Sequence, residues 1–334
     1  MATGRIRSVV VLFFFTAYNA VMSGQQLKLD STSNAMAIAG ADLSNIQVEV
    51  KKLSECIYML VNGEGGNLVV CVGDDGIVLV DTQTAPLAGK IRQAIRNISD
   101  KPVRFVINTH YHGDHTGGNA LFQAQEHAFI IAQSNTRKRL ASGGICGNGT
   151  STEAVWPSAD ITALPGCTFD NAITLHLSGE DICVLYMANA HTDGDAVVLF
   201  RKANVVHMGD LFVTGATDCG FPFIDIYAGG SVCGMITGIE RLLPQILDDT
   251  QIIPGHGPVS TKWDVKNYLQ MLKGTSDAVA KAKAQGKTLE RIKQEKILIP
   301  WKEWKGYYDA DKYLETVYND VSKAKPENLP AGGR

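Results

Sequence analysis

Residues 109–118 read T-H-Y-H-G-D-H-T-G-G, which sets His110, His112 and His115 and one carboxylate, Asp114, close together along the chain. The stretch follows the apolar run V-R-F-V-I at 103–107, where a buried strand would release the chain into a loop. Glycines at 113, 117 and 118 let the backbone turn tightly, so that several imidazoles can converge on one point. Neutral imidazole and carboxylate oxygen are the donors that a borderline cation such as zinc takes.

Working outward, three later apolar runs end in the same kind of residue. Residues 185–190 lead to His191, residues 204–209 to Asp210, and residues 251–255 to His256. One histidine or aspartate after a strand is ordinary loop polarity or a turn cap. Seven such donors beside apolar strands carry desolvation and repulsion costs that a cation would compensate. His127 and His176 lack this setting, and His207 alternates away from the strand end, so these three read as structural.

Upstream, 46–50 and 57–61 alternate as strands, 63–66 turn the chain, and 67–72 and 76–80 form two more strands ending at Asp81. A helix is expected over 86–98, with Pro86 in its first turn and Leu87, Ile91 and Ile95 on one face. Beyond the histidine cluster come a short strand at 129–131, a helix near 134–140 and a Gly/Ser/Thr/Pro-rich surface loop over 141–166. Strand pairs follow at 173–177 with 182–187 and at 196–200 with 205–208. Then come a helix over 236–246, a strand at 251–253, charged amphipathic helices over 262–297 and a last helix near 307–321. Each strand-rich half delivers donors from loops after strands, and no Pro-Gly linker divides them. That organisation predicts one domain over 45–334 with a C-terminal helical extension.

Composition is ordinary and globular, with 45% apolar and 19% charged residues, and the net charge of −3 argues against a basic nucleic-acid footprint. Arg5 and Arg7 precede an apolar run at 9–21 and the small residues Ser23 and Gly24. That pattern predicts a signal peptide over 1–24, a flexible lead-in over 25–44, and an exported protein, periplasmic or extracellular, with no membrane attachment after signal removal. The seven cysteines include no C-x-x-C pair. Cys146–Cys167 and Cys219–Cys233 are the most local disulfide options, and Cys71 and Cys183 read as buried small hydrophobes.

The H-x-H-x-D-H of 110–115, His191 before Thr-x-Gly-Asp, Gly209-Asp210 after a strand, and the P-G-H-G of 254–257 together resemble the metallo-β-lactamase superfamily. The likeness runs over about 57–257, with Val80-Asp81 fitting the family's first motif. It implies an α/β (α+β) fold, an αββα sandwich of two mixed sheets flanked by helices. It also implies two Zn2+ per chain, held by His110, His112 and His191 at the first metal and by Asp114, His115 and His256 at the second. Asp210 would bridge the two, and Asp81 would support the ligand loops through hydrogen bonds. The implied activity is a metal-dependent hydrolase acting on a small molecule. A metal-bound hydroxide attacks an amide, β-lactam, ester, lactone or thioester carbonyl, and Asp114 orients the nucleophile and moves its proton.

The chain departs from the best-known exported β-lactamases, which resemble it but carry cysteine in place of Asp210 and a lysine a few positions later. Residues 211–230 hold neither lysine nor arginine. A bridging aspartate is the pattern of glyoxalase-II-like thioesterases and lactonases, and its hard oxygen leaves iron or manganese as alternatives to zinc. Two other readings stand beside hydrolysis: a metal-binding or redox module, and a nuclease of the same superfamily, which the acidic balance disfavours. Phe212, Phe221, Phe223, Ile224 and Tyr227 form either an apolar wall over the metals or ordinary loop packing.

Overall fold

Alternation along each strand of the first half decides which side chains face which layer. The computed structural model describes residues 43, 45–147, 154–214, 220–304 and 308–320; the expected signal peptide, most of the lead-in, Cys219 and the chain's last residues lie outside these. The first half runs through β1 (Glu49–Lys52), β2 (Ile57–Val61), β3 (Leu68–Gly73), β4 (Gly76–Val80), α1 (Ala88–Ile98) and β5 (Val103–Ile107). It continues with α2 (Gly113–Thr116), α3 (Asn119–Glu126), β6 (Phe129–Gln133), α4 (Ser134–Ser142), β7 (Gly144–Cys146), β8 (Ala154–Trp156) and β9 (Cys167–Phe169). The second half runs through β10 (Ala172–Leu177), β11 (Glu180–Met187), β12 (Asp195–Phe200), β13 (Val205–His207), α5 (Val232–Leu242) and β14 (Gln251–Ile253). The helices α6 (Lys262–Ala284), α7 (Leu289–Gln294) and α8 (Ala310–Asp320) follow.

The strands form a sheet ordered β1-β2-β3-β4-β5-β6-β9, a second ordered β10-β11-β12-β13-β14, and the small hairpin β7-β8. Both large sheets are mixed: β1 to β4 is an antiparallel meander that turns parallel at β4-β5, and β13-β14 is parallel. On the inner faces, Met59, Val69, Cys71, Val78 and Val80 meet Ile182, Val184, Val198 and Val205. On the outer face of the first sheet, Val70, Ile77 and Leu79 pack on Ile91 and Ile95 of α1 and Phe122 of α3. The second sheet presents Val197, Leu199, Val206 and Ile252 to Met235 and Ile239 of α5, Leu272 of α6 and Val317 of α8. Two facing sheets with helices outside make the αββα sandwich.

Several boundaries differ from the sequence reading. β1 begins at Glu49 rather than 46. The expected surface loop over 141–166 contains both β7 and β8, paired strands too short to leave an alternation. α5 starts at Val232 because Ser231 caps it on Gly234 N, and it ends at Leu242 before a 3-10 turn that contains Pro244. The long charged stretch breaks after α6, where Gly286 takes a φ of 77°. One face of α6 joins the core, so that helix is only half solvent-facing. Cys146 and Cys167 are free thiols rather than a pair, and Cys183 is half-buried, whereas Cys71 is fully buried. Among the described residues, no helix is long and apolar enough to cross a membrane.

Candidate metal centre

All donors of the sequence reading come from one end of the sandwich. β5 ends at Ile107 and releases His110 and His112; the single turn of α2, with His112 at its N-cap, presents Asp114 and His115. β11, β13 and β14 are followed by His191, Asp210 and His256. The structure brings the seven into two groups. Donor atoms of His110, His112, His191 and Asp210 lie within 4.8 Å of one another, as do those of Asp114, His115 and His256. Asp210 stands between the groups: Oδ2 is 3.5 Å from His191 Nε2 and 3.6 Å from His256 Nε2, and Oδ1 is 3.2 Å from His115 Nε2.

What the rings do on their outward side fixes what they offer inward. Thr109 gives its hydroxyl proton to Asp81 Oδ2 at 2.7 Å, so its oxygen accepts from His110 Nδ1 at 3.1 Å. His112 Nε2 donates to Asp225 Oδ2 at 3.0 Å, His115 Nδ1 to Asp81 Oδ2 at 2.7 Å, and His191 Nδ1 to the Phe223 carbonyl at 2.9 Å. With each outward nitrogen a donor, a neutral ring turns a lone pair inward. His112 Nδ1 sits 3.1 Å from His110 Nε2 and 3.0 Å from His191 Nε2, a spacing at which lone pairs repel unless a positive charge lies between them. Asp210 Oδ1 is buried without a hydrogen bond. The ion pairs that reach Asp81, Asp114, Asp210 and Asp225 come only from histidines, among the described residues. These features fit a site built for cations.

Protonation follows the same charge balance. Burial and His115 push His110 well below the usual imidazole range, and burial lowers His191 to about 4. Burial also opposes a proton on His115 and His256, but Asp210 and Asp114 outweigh it; His115 rises well above its usual value and His256 to about 9. Burial disfavours the charge on Asp210 too, yet His256 and His115 hold that carboxyl well below its ordinary range. Asp210 is therefore ionised at neutral pH. Burial opposes a proton on His112 as well, but Cys146 and Asp225 raise it well above its usual value, so His112 and the second group take up protons when no metal competes for them.

A shell of scaffold residues holds these groups. Asp81, at a φ of 60°, also accepts from Thr109 N at 2.8 Å, tying the end of β4 to the ligand loop. Asn67 Nδ2 donates to the carbonyls of Pro254 at 2.9 Å and Gly257 at 2.8 Å, which clamps the loop bearing His256. His207 is buried, accepts from Gly209 N and donates to the Asn67 carbonyl; it is a brace for the Asp210 turn. His176 is exposed beside Asp181, and His127 ends α3 with a φ of 55°. Sequence reading missed Asp225. Fully buried, it accepts from His112 and Tyr111 Oη on Oδ2, and from Gly147 N and Ala228 N on Oδ1. Its signal was a lone carboxylate inside the apolar run F-P-F-I-D-I-Y at 221–227. Cys146 Sγ, also missed, lies 3.5 Å from His112 Nε2. Of the five residues considered for a wall, Phe212, Phe221 and Ile224 belong to the core, and Tyr227 is exposed. Phe223 alone of these stands against the donors, with ring centroids 6.0 Å from His112 and 5.8 Å from His191.

The family model of the metallo-beta-lactamase superfamily matches residues 61–256, more than half of the chain. Among curated relatives, the chain is 28% identical over 188 residues to the 2,4-dinitroanisole O-demethylase subunit alpha of Nocardioides sp., covering 55% of this chain and 50% of that one. It is 36% identical over 245 residues to the linear primary-alkylsulfatase of Pseudomonas sp., covering 62% and 44%. The chain thus spans about half the length of these relatives. Among solved structures, a metallo-beta-lactamase from Pontibacter korlensis is similar in fold, with a TM-score of 0.56 at 20% identity over 68% of this chain and 99% of that one.

Proposed function

Because the chain belongs to the metallo-beta-lactamase superfamily, we propose that it is a dinuclear zinc hydrolase that cleaves an amide, β-lactam, ester, lactone or thioester bond of a small molecule. One observation carries this reading. Inward lone pairs of His110, His112, His115 and His191 converge with the carboxylates of Asp114 and Asp210, and no lysine or arginine among the described residues pairs with those carboxylates. His110, His112 and His191 would hold one cation, and Asp114, His115 and His256 the other, with Asp210 between them. A pair of divalent cations bound there lowers the pKa of water and polarises a carbonyl oxygen.

The chain's own residues do the rest. Asp114 presents Oδ2 3.3 Å from His256 Nε2 at the partly open side of the site, where it can take a proton from the attacking water and return it to the leaving group. Asp81 and Asp225 fix the ring orientations of His115 and His112, so that the donors need not reorganise as substrate binds. Phe223 screens His112 and His191 from solvent. The positively flanked apolar run near Arg5 and Arg7 supports export as the protein's route.

The test is metal analysis followed by hydrolysis assays. Zinc-replete protein is expected to hold two zinc per chain and to hydrolyse at least one of nitrocefin, a thioester and a lactone. The activity should be lost to a chelator and restored by zinc. Absence of bound metal under replete conditions would overturn the reading. A second reading, sulfate-ester hydrolysis, is favoured by the 36% identity to the alkylsulfatase. Turnover of dodecyl sulfate with none of the carbonyl substrates would establish it instead.

A further inference from the structure

A bend at 54–56 sets Cys56 just ahead of β2, and the neighbouring strand β3 carries Cys71 opposite Ile57. Val72 N donates to the Cys56 carbonyl at 2.9 Å, so the ladder holds the two cysteines one residue out of register. Strand spacing and rise put their Cα atoms about 6 Å apart, within the range that a disulfide spans. We propose that Cys56 and Cys71 are a modification site, a dithiol that closes to a disulfide stapling β2 to β3.

Successive residues of a strand point to opposite faces, but the bend breaks that alternation at Cys56. Its side chain packs with Cys71 in the layer between the sheets, and its Sγ lies 3.8 Å from Oε1 of Glu180, the first residue of β11 in the facing sheet. Burial, and after it the nearby Cys56 and Glu180, push the Cys71 thiol up, and Cys56 is close enough to hydrogen-bond to it. Surroundings that disfavour a thiolate favour the closed form, because only the reduced pair gains from ionisation. On closure Glu180 keeps the Lys202 amide on Oε2, at 3.0 Å. No other described cysteine competes. Cys167 stands four strands along the same sheet, about 19 Å away. Cys183 packs on the outer face of the second sheet, Cys146 lies beside His112, and Cys233 is exposed on α5.

Half-buried Cys56 is the thiol that an external disulfide reaches. It attacks one sulfur of that disulfide, and the other leaves as a thiol with the Cys56 proton. Cys71 then attacks the Cys56 sulfur, and the second external sulfur leaves with the Cys71 proton. One external disulfide is thereby reduced to two thiols as the protein dithiol is oxidised. Exported compartments supply such disulfides, so the staple suits the export route proposed above.

The experiment treats the full reduced chain with glutathione disulfide at mildly alkaline pH, blocks the remaining thiols with iodoacetamide and maps the tryptic peptides by mass. A cycle of unfolding in urea and refolding in the same buffer removes the barrier that burial of Cys71 sets. Both cysteines fall in the single tryptic peptide 53–90. That peptide is expected to lose about 2 Da and both alkylation sites. Oxidation should raise the melting temperature roughly 5 °C more in the unsubstituted chain than in Cys56→Ser, whose hydroxyl still reaches Glu180. Both thiols retained after the refolding cycle, glutathione left on Cys56, or an oxidised chain that melts no higher than the reduced one would overturn the proposal.

Discussion

Asp225 accepts four hydrogen bonds, two on each oxygen, and so has no tolerance for an amide. In Asp225→Asn, one of the two positions turns an NH2 group against two donors, and His112 loses the partner that fixes its ring. The carboxyl is held at about 2 although burial opposes it, chiefly through His112, so its charge is present throughout the neutral range. Zinc affinity of the first group should fall about 10- to 100-fold. Competition against a chromophoric chelator reads this directly, and an unchanged affinity would remove Asp225 from the site. Gly66→Ala probes the second group: a Cβ there would lie 2.2 Å from His115 Cε1, so the ring cannot stay where it stands. Loss of the second zinc equivalent with the first retained is the expected result of metal analysis, and two retained equivalents would contradict it. The difference in legibility between these residues is physical. The seven donors stand where apolar strands end, a pattern visible in one dimension. Asp225 reaches His112 from a loop without such an ending, and Gly66 matters only because the fold carries a ring against it.

Elements were legible where periodicity ran long enough. β2 and α1 stand almost where the alternation over 57–61 and the Leu87, Ile91 and Ile95 face place them, whereas β7, β8 and β9 have three residues each and left no period to read. One inter-element clamp was not legible at all. Glu126, at the end of α3, receives Arg92 and Arg96 of α1 at 2.5 and 2.6 Å, and its Oε2 also accepts from the first amide of β5, Val103 N, at 3.4 Å. Burial disfavours its charge, but the two arginines more than compensate and lower its pKa. A lowered folded pKa means stability present above the unfolded value near 4.3 and lost as pH falls through the lower folded value. Glu126→Gln should therefore cost about 1–3 kcal/mol at pH 7. The difference from the unsubstituted protein should shrink on acidification below about pH 4. Urea unfolding at both pH values measures it, and a pH-independent difference would show that the carboxylate's charge is not what holds α1 to α3.

At the scale of the molecule, the donors connect the two halves of the sandwich. His110, His112, Asp114 and His115 follow β5 of the first sheet, and His191, Asp210 and His256 follow three strands of the second. That convergence was readable through the family resemblance that the motifs carry. The outer helical layer was readable only as amphipathic charge, since its apolar partners lie on sheet faces distant in sequence. Cations held across both sheets bind the folded state and not the unfolded chain, so they should stabilise the whole sandwich rather than one loop. At a free zinc concentration about 100 times the dissociation constant, the gain is about 2.7 kcal/mol per site. For a chain of this size, both sites together correspond to a rise in melting temperature of roughly 8 °C. Scanning calorimetry of chelator-stripped and zinc-replete protein should show the difference as a shift of one cooperative transition. A zinc-insensitive melting temperature would mean that the donors of the two sheets do not share the metals, however close they lie.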